Sequence, residues 1–363
     1  MRKFVIATIL TVFITLAGIT VGIANTEDLT VPAAASQNSS PGPSPTGSLI
    51  AVGDICFAGI EKKVIEDPEY PWAGTKSILQ SGTILVGNQE VPYSTRGSIY
   101  TQKKWTFRMD PRTARSLTTA GFRVVTLANN HIMDYGPLAM QDTLNILDEL
   151  KIAHTGAGNS LSEAREPAIL TASDGTTFAF LAYSLVYPEL FWASSKRPGT
   201  PYGDPAYFVP DIQKAKTLAD YVVVSFHWGN ELLFYPKPYQ KLYGRKCIDA
   251  GASIVLGHHP HVLQGVEAYK GGLIAYSLGN FIFGSPSVKI KDSIILAVDY
   301  DENGLVQARL FPVNVSRYEV NYQPRLRYGE DAERVLQDMR TYSKEFKTEI
   351  KSQGGVGVVR ISK

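Results

Sequence analysis

Val124–Gly136, VVTLANNHIMDYG, is the stretch on which the reading of this chain turns. Val124, Val125, Thr126 and Leu127 are β-branched or apolar, the composition of a buried strand. The run stops at Asn129-Asn130-His131, three polar side chains unsuited to a strand interior. Asp134 and Gly136 follow, and Pro137 can occupy the first turn of a helix over Leu138–Leu150. A strand that ends in a polar turn and feeds a helix is half of a parallel α/β unit, and in such sheets ligands bind at the carboxyl ends of the strands. Asn130, His131 and Asp134 would then share a strand tip. Taken alone, the segment reads equally well as an Asn-rich turn containing one histidine.

The pattern repeats along the chain. Buried-type strands are expected at Ser48–Val52, Thr83–Val86, Phe178–Tyr183, Tyr221–Phe226, Ser253–Leu256 and Leu273–Ser277, with helices at Pro111–Ala120, Pro210–Leu218 and Pro238–Ala250. Six strands then end in residues of ligand type: Asp54; Asn88 with Glu90; Asn130 with His131; His227; His259 with His261; and Asn280. The chain holds 6 histidines. All but His154 lie in these endings, a concentration that loop polarity alone does not produce. Alternation of strand and helix predicts an α/β architecture with parallel pairing at its centre. The C-terminal third (Ser293–Tyr300, Gly304–Val313, then a charged helix near Gly329–Lys347) reads as more antiparallel.

With 363 residues and 44% hydrophobic composition, there is ample material for a core. A net charge of +2 argues against a nucleic-acid partner, which calls for a basic stripe. Two cysteines, Cys56 and Cys247, are too few for a disulfide framework. Arg2 and Lys3 precede an uncharged apolar run, Phe4–Ala24, about long enough to span a bilayer. A signal anchor is the first reading and a cleaved signal peptide the second; either exports the rest of the chain to the outer face of the membrane, or secretes it. Residues 25–47, rich in Ser, Pro and Gly, read as a disordered linker. This leaves 48–363 as the folded domain.

His259 and His261, two apart around Pro260, are expected to project to one side of an extended segment. His258 would face the other way, as a structural residue. Imidazole, carboxylate and amide oxygen form a mixed set that favours Mn, Fe or Zn, as one or two divalent ions. Asp54, Glu90, Asn130, His227, His259 and His261 are the candidate metal ligands. Two close ions would clamp a displacement at phosphorus and supply a deprotonated water. His131 would transfer a proton, and Asp134 would hold its tautomer. Asn88, Glu231 and Asn280 are candidate substrate contacts, with backbone capping the alternative for Glu231 and Asn280. Cys56 is read as a small core residue rather than a thiolate ligand. Trp228 and Phe281 are read as pocket wall or core. Arg96, Trp105 and Arg108 lie in an irregular segment that could form a basic lid over an anionic substrate, with solvated surface as the default.

These motifs resemble the CapA/PgsA family of poly-γ-glutamate capsule biosynthesis proteins. The matching pieces are Gly53-Asp54, Gly87–Glu90, Leu127–His131 with Asp134-Tyr135-Gly136, His227-Trp228-Gly229, His259–Val262 with Gln264, and Tyr276–Phe281. They run in the family's order over about Leu49–Phe283. The family looks like a relative of calcineurin-like metallophosphoesterases, which implies a β-sandwich flanked by helices with metals at the strand ends. By that resemblance Asp54 matches the first metal-binding aspartate, Asn130-His131 the ligand and general acid, His227 the lone histidine, and His259 and His261 the closing His-x-His. The chain also departs from these patterns. Asp54-Ile55-Cys56 stands where phosphoesterases have Asp-x-His, and Asn88, with Glu90 two residues on, stands where they have a bridging aspartate. Gln89 replaces the usual Leu of the capsule family, and Gly59-Ile60 its frequent Gly-Arg. The resemblance implies a cell-envelope protein in the synthesis or export of an anionic polymer, with capsule-synthase membrane subunits as possible partners and a metal-dependent, hydrolase-like site. A secreted phosphoesterase acting on small phosphate-containing substrates and a non-catalytic binding module are the other readings the sequence leaves open.

Overall fold

The computed structural model describes residues 45–362. The apolar run Phe4–Ala24 and nearly all of the linker lie outside them. Among the described residues no helix is long and apolar enough to cross a membrane.

Two sheets form the centre. In the first, Gly47–Ile55 pairs in parallel with Ile84–Gln89, which pairs with Val124–Thr126, which pairs with Ala153–Thr155. On its other side Gly47–Ile55 meets Asp292–Asp301 and then Gly304–Asn314, both antiparallel. In the second sheet Thr177–Ser184, Tyr221–His227, Ile254–His258 and Gly272–Ala275 are consecutive parallel neighbours. The parallel centre and antiparallel C-terminal part match the expectation from sequence. The physical reason is the composition of the strands: runs such as Val222-Val223-Val224 are apolar on both faces, as strands covered on both sides must be.

Alternation along the strands sorts the layers. Leu49, Ala51, Ile84, Val86 and Val124 of the first sheet share one core with Phe178, Phe180, Val223, Ile254 and Leu256 of the second. Their sequence neighbours Ile50, Val52, Leu85 and Val125 face outward onto Leu117, Met140, Leu144 and Leu147 of helices on the far side. Val222, Val224 and Val255 likewise face Phe208, Ile212, Cys247 and Ile248. The result is a β-sandwich flanked by helices, the architecture expected. Each Val, Leu, Ile, Phe or Met among them contributes about 1.5–3 kcal/mol on full burial, against about 0–1 kcal/mol for an exposed ion pair, so these three layers hold the fold.

Local boundaries shift in instructive ways. The expected helix from Pro210 starts earlier, at Pro205, because the Asp204 carboxylate accepts the Ala206 N–H and Pro205 fills the first turn; Pro210 is inside the helix. The expected Pro111–Ala120 helix begins as a 3-10 turn, Pro111–Ala114, before becoming α-helical at Arg115–Ala120. Asn280 opens a short strand, Asn280–Ile282, laid in parallel against Gly47–Ile55, rather than ending the strand before it.

Register brings the polar ends together. Asp54 lies beside Asn88 and also beside Asn280. Asn88 lies beside Thr126, and His227 beside His258. Two glycines permit the close crossings this needs. A Cβ at Gly53 would fall 1.8 Å from the Gly279 carbonyl oxygen, and one at Gly257 would fall 1.9 Å from that of Tyr276. The glycines before Asp54 and His258 are therefore requirements of backbone approach.

Candidate metal centre

The polar ends of both sheets converge on a buried cluster. Asp54, Glu90 and His227 each offer a ligand atom, all within 4.8 Å of one another, and could hold a metal ion. His227 Nε2 is 2.9 Å from the Asn130 side-chain oxygen and 3.5 Å from Glu90 Oε1. The rings of His227 and His259 are 4.8 Å apart and those of His259 and His261 5.8 Å. All six expected ligands thus lie in one cluster.

The donor set fits a cation. Glu90 Oε1, His227 Nδ1 and His259 Nδ1 are buried with no hydrogen-bond partner among the described residues. Unsatisfied buried acceptors are costly, and a coordinated ion satisfies them. Burial, followed by the nearby Asp54 charge, pushes the Glu90 carboxyl well above the usual carboxylate range. For Asp54 burial also pushes upward, but the hydrogen bonds and charges of His258 and His261 outweigh it and hold the group well below its ordinary value. Burial keeps His227 neutral and lowers His259 to about 3, the unprotonated state a ligand needs. His261 goes the other way, to about 9, because its pairing with Asp54 outweighs desolvation.

Two expectations about the His258–His261 segment are corrected. It is not extended: His259 has φ +92° and His261 φ +60°, so the chain bends through left-handed conformations. Both rings still reach the cluster, through that bend rather than by strand alternation. Nor does His258 face away. Its Nδ1–H donates to Asp54 Oδ1 at 3.1 Å, and it holds the carboxylate in place. Strand alternation fails as a guide here because the strand ends at His258.

Asn88 and Asn280 are buried behind the cluster. The Asn88 amide donates to Asp54, at 2.8 Å, and to Glu90, while its oxygen accepts from Asn129. Asn280 accepts from His261 Nδ1 at 2.7 Å. Asn129, named in the sequence reading without a role of its own, shapes the turn: its oxygen accepts the N–H groups of His131 and Ile132. Cys56 is buried and free, its thiol pushed up to about 12 by desolvation, which suits a core residue; Cys247 is also buried and unpaired. Trp228 and Phe281 are core, with the Trp228 indole N–H on the Tyr276 carbonyl oxygen at 2.9 Å.

Beside the cluster, His131 Nδ1–H donates to Asp134 at 2.6 Å, so that Nε2 is the ring nitrogen Asp134 does not engage. Burial lowers the His131 pKa despite that carboxylate. Asp134 also accepts from Lys103 Nζ at 2.5 Å and from the Phe107 N–H at 2.8 Å. It thereby pins the irregular 100–107 segment over the site, with the Phe107 ring 5.1 Å from that of His131. Lys103 escaped the sequence reading because nothing in QKKW marks which lysine turns inward.

A cavity of about 390 Å³ opens over this group, lined among others by Lys103, Lys104, Trp105, His131, His261 and Arg317. Basic residues do line this cavity, but they are not the two arginines of the lid reading, for which the default of surface position holds. Arg96 pairs with Asp142, and Arg108 lies 4.2 Å over the Tyr135 ring; only Trp105 of the three reaches the cavity. Glu231 lies on its wall, exposed, and also on that of a neighbouring cavity.

Fold and site together define a class of protein: a helix-flanked β-sandwich that gathers carboxylate, amide and imidazole groups at its strand ends. A family model described as bacterial capsule synthesis protein PGA_cap matches residues 48–285, and the chain belongs to that family. It is similar to the PGA biosynthesis protein CapA of Bacillus subtilis (strain 168), 35% identical over 268 residues that cover 73% of this chain and 70% of that one. The capsule biosynthesis protein CapA of Bacillus anthracis is 31% identical over 277 residues, 74% of this chain and 67% of the other. Among solved structures, the chain resembles Haemophilus influenzae NAD nucleotidase with 12% identity and a TM-score of 0.40, over 81% of this chain and 62% of that one. The Thermus thermophilus protein TT1561 matches with 7% identity and a TM-score of 0.40, over 69% of this chain and 93% of the other.

Proposed function

We propose that this chain is an envelope protein that takes part in making or exporting an anionic capsule polymer of the poly-γ-glutamate type, through a metal-dependent, hydrolase-like centre facing out of the cell. The observation that carries the reading is the convergence of Asp54, Glu90 and His227 from three strands, beneath a cavity walled by Lys103, Lys104 and Arg317. Membership of a capsule-synthesis family supports the polymer. The apolar run Phe4–Ala24 supports an anchored or secreted location, and a site at the membrane surface would suit work beside membrane-bound synthase subunits.

Asp54, Glu90 and His227 would hold one divalent ion, with Asn130, His259 and His261 beside them for it or a second. Mn, Fe or Zn suits this nitrogen–oxygen set. When bound, the ion supplies Lewis acidity and an activated water. The chain's own groups do the rest. Lys104 and Arg317 attract and seat an anionic segment, while Lys103, bonded to Asp134, braces the Asp134–His131 pair beneath them. His131 moves a proton at Nε2, with its tautomer fixed by Asp134. Phe107 and Trp105 limit water access.

Elemental analysis of the purified full chain tests the centre: a stoichiometric transition metal that falls away in His259→Ala is expected. Less than one ion per chain in the wild type would favour a binding module instead. Deletion in a producing strain should reduce surface polymer, and an unchanged capsule would count against the polymer role. A secreted phosphoesterase would instead show Mn²⁺-dependent turnover of a phosphate-ester panel, abolished in His131→Ala.

A further inference from the structure

A second cavity, of about 650 Å³, adjoins the first and is lined by Tyr187, Tyr202, Tyr239, Tyr243, Glu231 and His259, among others. It borders the same centre through a different histidine: His261 lines the basic cavity and His259 this one, with Glu231 common to both. Its chemistry is the reverse of its neighbour's. Among the described residues no lysine or arginine lines it, Glu231 is its one carboxylate, and four tyrosines form much of its wall.

The tyrosines are held as a platform. The Tyr239 hydroxyl accepts the Gly229 N–H at 2.7 Å, and the Tyr239 and Tyr243 rings are 6.0 Å apart. Trp192 backs Tyr202 at 4.3 Å and Tyr187 at 5.6 Å. Tyr187 nevertheless remains 68% exposed, a large aromatic ring turned to solvent. Aromatic faces carry negative quadrupole potential, so several of them beside a carboxylate attract a cation and repel an anion.

We propose that this cavity is a subsite for a protonated amine. Building on the function proposed above, the centre then faces a ligand with two unlike ends: carboxylates toward Lys104 and Arg317, and an ammonium group among the tyrosines and Glu231. A uniform polyanion would fill only the basic side. An amine-bearing group, such as the amino end of a peptide-linked chain or an amine-bearing acceptor, would fill the other.

Titration calorimetry of the full chain at neutral pH with n-butylammonium, and with 1-pentanol as an uncharged control of similar size, tests this. Saturable binding of the ammonium but not the alcohol is expected, weakened about threefold or more by Glu231→Gln and by Tyr187→Ala. Tyr187 is exposed enough that its truncation leaves the fold intact, and an unchanged melting temperature verifies that. Lys104→Ala should not weaken ammonium binding. Equal binding of alcohol and ammonium, or ammonium binding that ignores both variants, overturns the subsite. A short γ-glutamate oligomer separates the two proposals. If it binds in a Lys104-dependent way while the ammonium does not, only this inference falls. If the ammonium binds as described while the oligomer does not, the amine subsite stands and the polymer reading is the one that fails.

Discussion

The two sheets build opposite walls of the centre, and the walls are finished differently. The first sheet supplies Asp54, Asn88 and Glu90, with Asn129 and Asn130 just past its third strand, in a web where amide N–H groups donate to carboxylates and amides to one another. The second sheet supplies His227 and the His258–His261 bend. Among the described residues each wall keeps two buried atoms without a hydrogen-bond partner, Glu90 Oε1 and Asn280 Nδ2 on the first and His227 Nδ1 and His259 Nδ1 on the second. The first, acidic wall is knitted mostly by bonds within itself, whereas the imidazoles of the second bond across to it, through His227–Asn130, His258–Asp54 and His261–Asn280. The acidic wall should tie the centre to the fold, while the imidazole wall should chiefly set what the centre binds.

The largest effect should come from Asp54→Ala. This carboxylate receives the His258 imidazole and the His259 backbone N–H and stands 3.5 Å from His261 Nδ1. Its loss leaves the charge of His261 buried without its partner, a change that costs about 3–5 kcal/mol. We expect loss of bound metal by elemental analysis together with a clear fall in melting temperature. Full metal content with unchanged stability would show that Asp54 does not tie the walls together.

Within the imidazole wall the expected effect is on metal rather than fold. His259→Ala should weaken metal affinity by at least about tenfold while the chain stays folded. His131→Ala, across the site, should leave metal content intact and reduce turnover of any cleaved substrate by about 10²–10⁴. Metal loss in His131→Ala would place that residue among the ligands and remove it as the proton-transfer group.

Chelator-treated protein should reveal the two pairing states by pH. His259 titrates near 3 when folded, against about 6.5 when unfolded, so the unfolded chain binds the extra proton and stability falls as pH drops from about 6.5 toward 3. His261 titrates near 9 when folded, so its contribution is full below about 6.5 and is lost as pH rises through 9. The metal-free protein should therefore be most stable near neutrality. Melting temperature against pH should lose part of its acid limb in His259→Gln and part of its alkaline limb in His261→Gln. An acid limb unchanged in His259→Gln would mean that this ring is not buried neutral.

The contrast between walls also explains what the sequence could and could not disclose. Residues whose place follows from strand position were legible: Asp54, Glu90, Asn130 and His227 stand at or just past strand ends, and register brings them together. Parallel strands and apolar runs made the sandwich legible for the same reason, since periodicity reports burial. The bend at His259–His261 was not legible, because positive φ at a non-glycine residue is imposed by tertiary contacts that periodicity does not encode. His258 was misplaced for that reason. Lys103 was hidden by a different one: its partner Asp134 is 31 residues away, and the segment joining them has no repeating pattern.

The rim offers the smallest and most discriminating test. Lys103 and Lys104 are adjacent, but the Lys103 side chain is 14% exposed and bonded to Asp134, whereas Lys104 is exposed on the cavity wall. An exposed charge contributes about 0.2–1 kcal/mol and is screened by salt. Lys104→Ala should therefore weaken binding of a short γ-glutamate oligomer by about two- to fivefold at low salt, a difference that fades at high salt. Lys103→Met should cost more, about tenfold in turnover of any cleaved substrate, and should persist in salt, because a buried ion pair is screened far less. Binding series at two salt concentrations, with turnover in parallel, decide it. If both variants respond to salt alike, Lys103 belongs to the anion-attracting rim and not to the Asp134–His131 group beneath it.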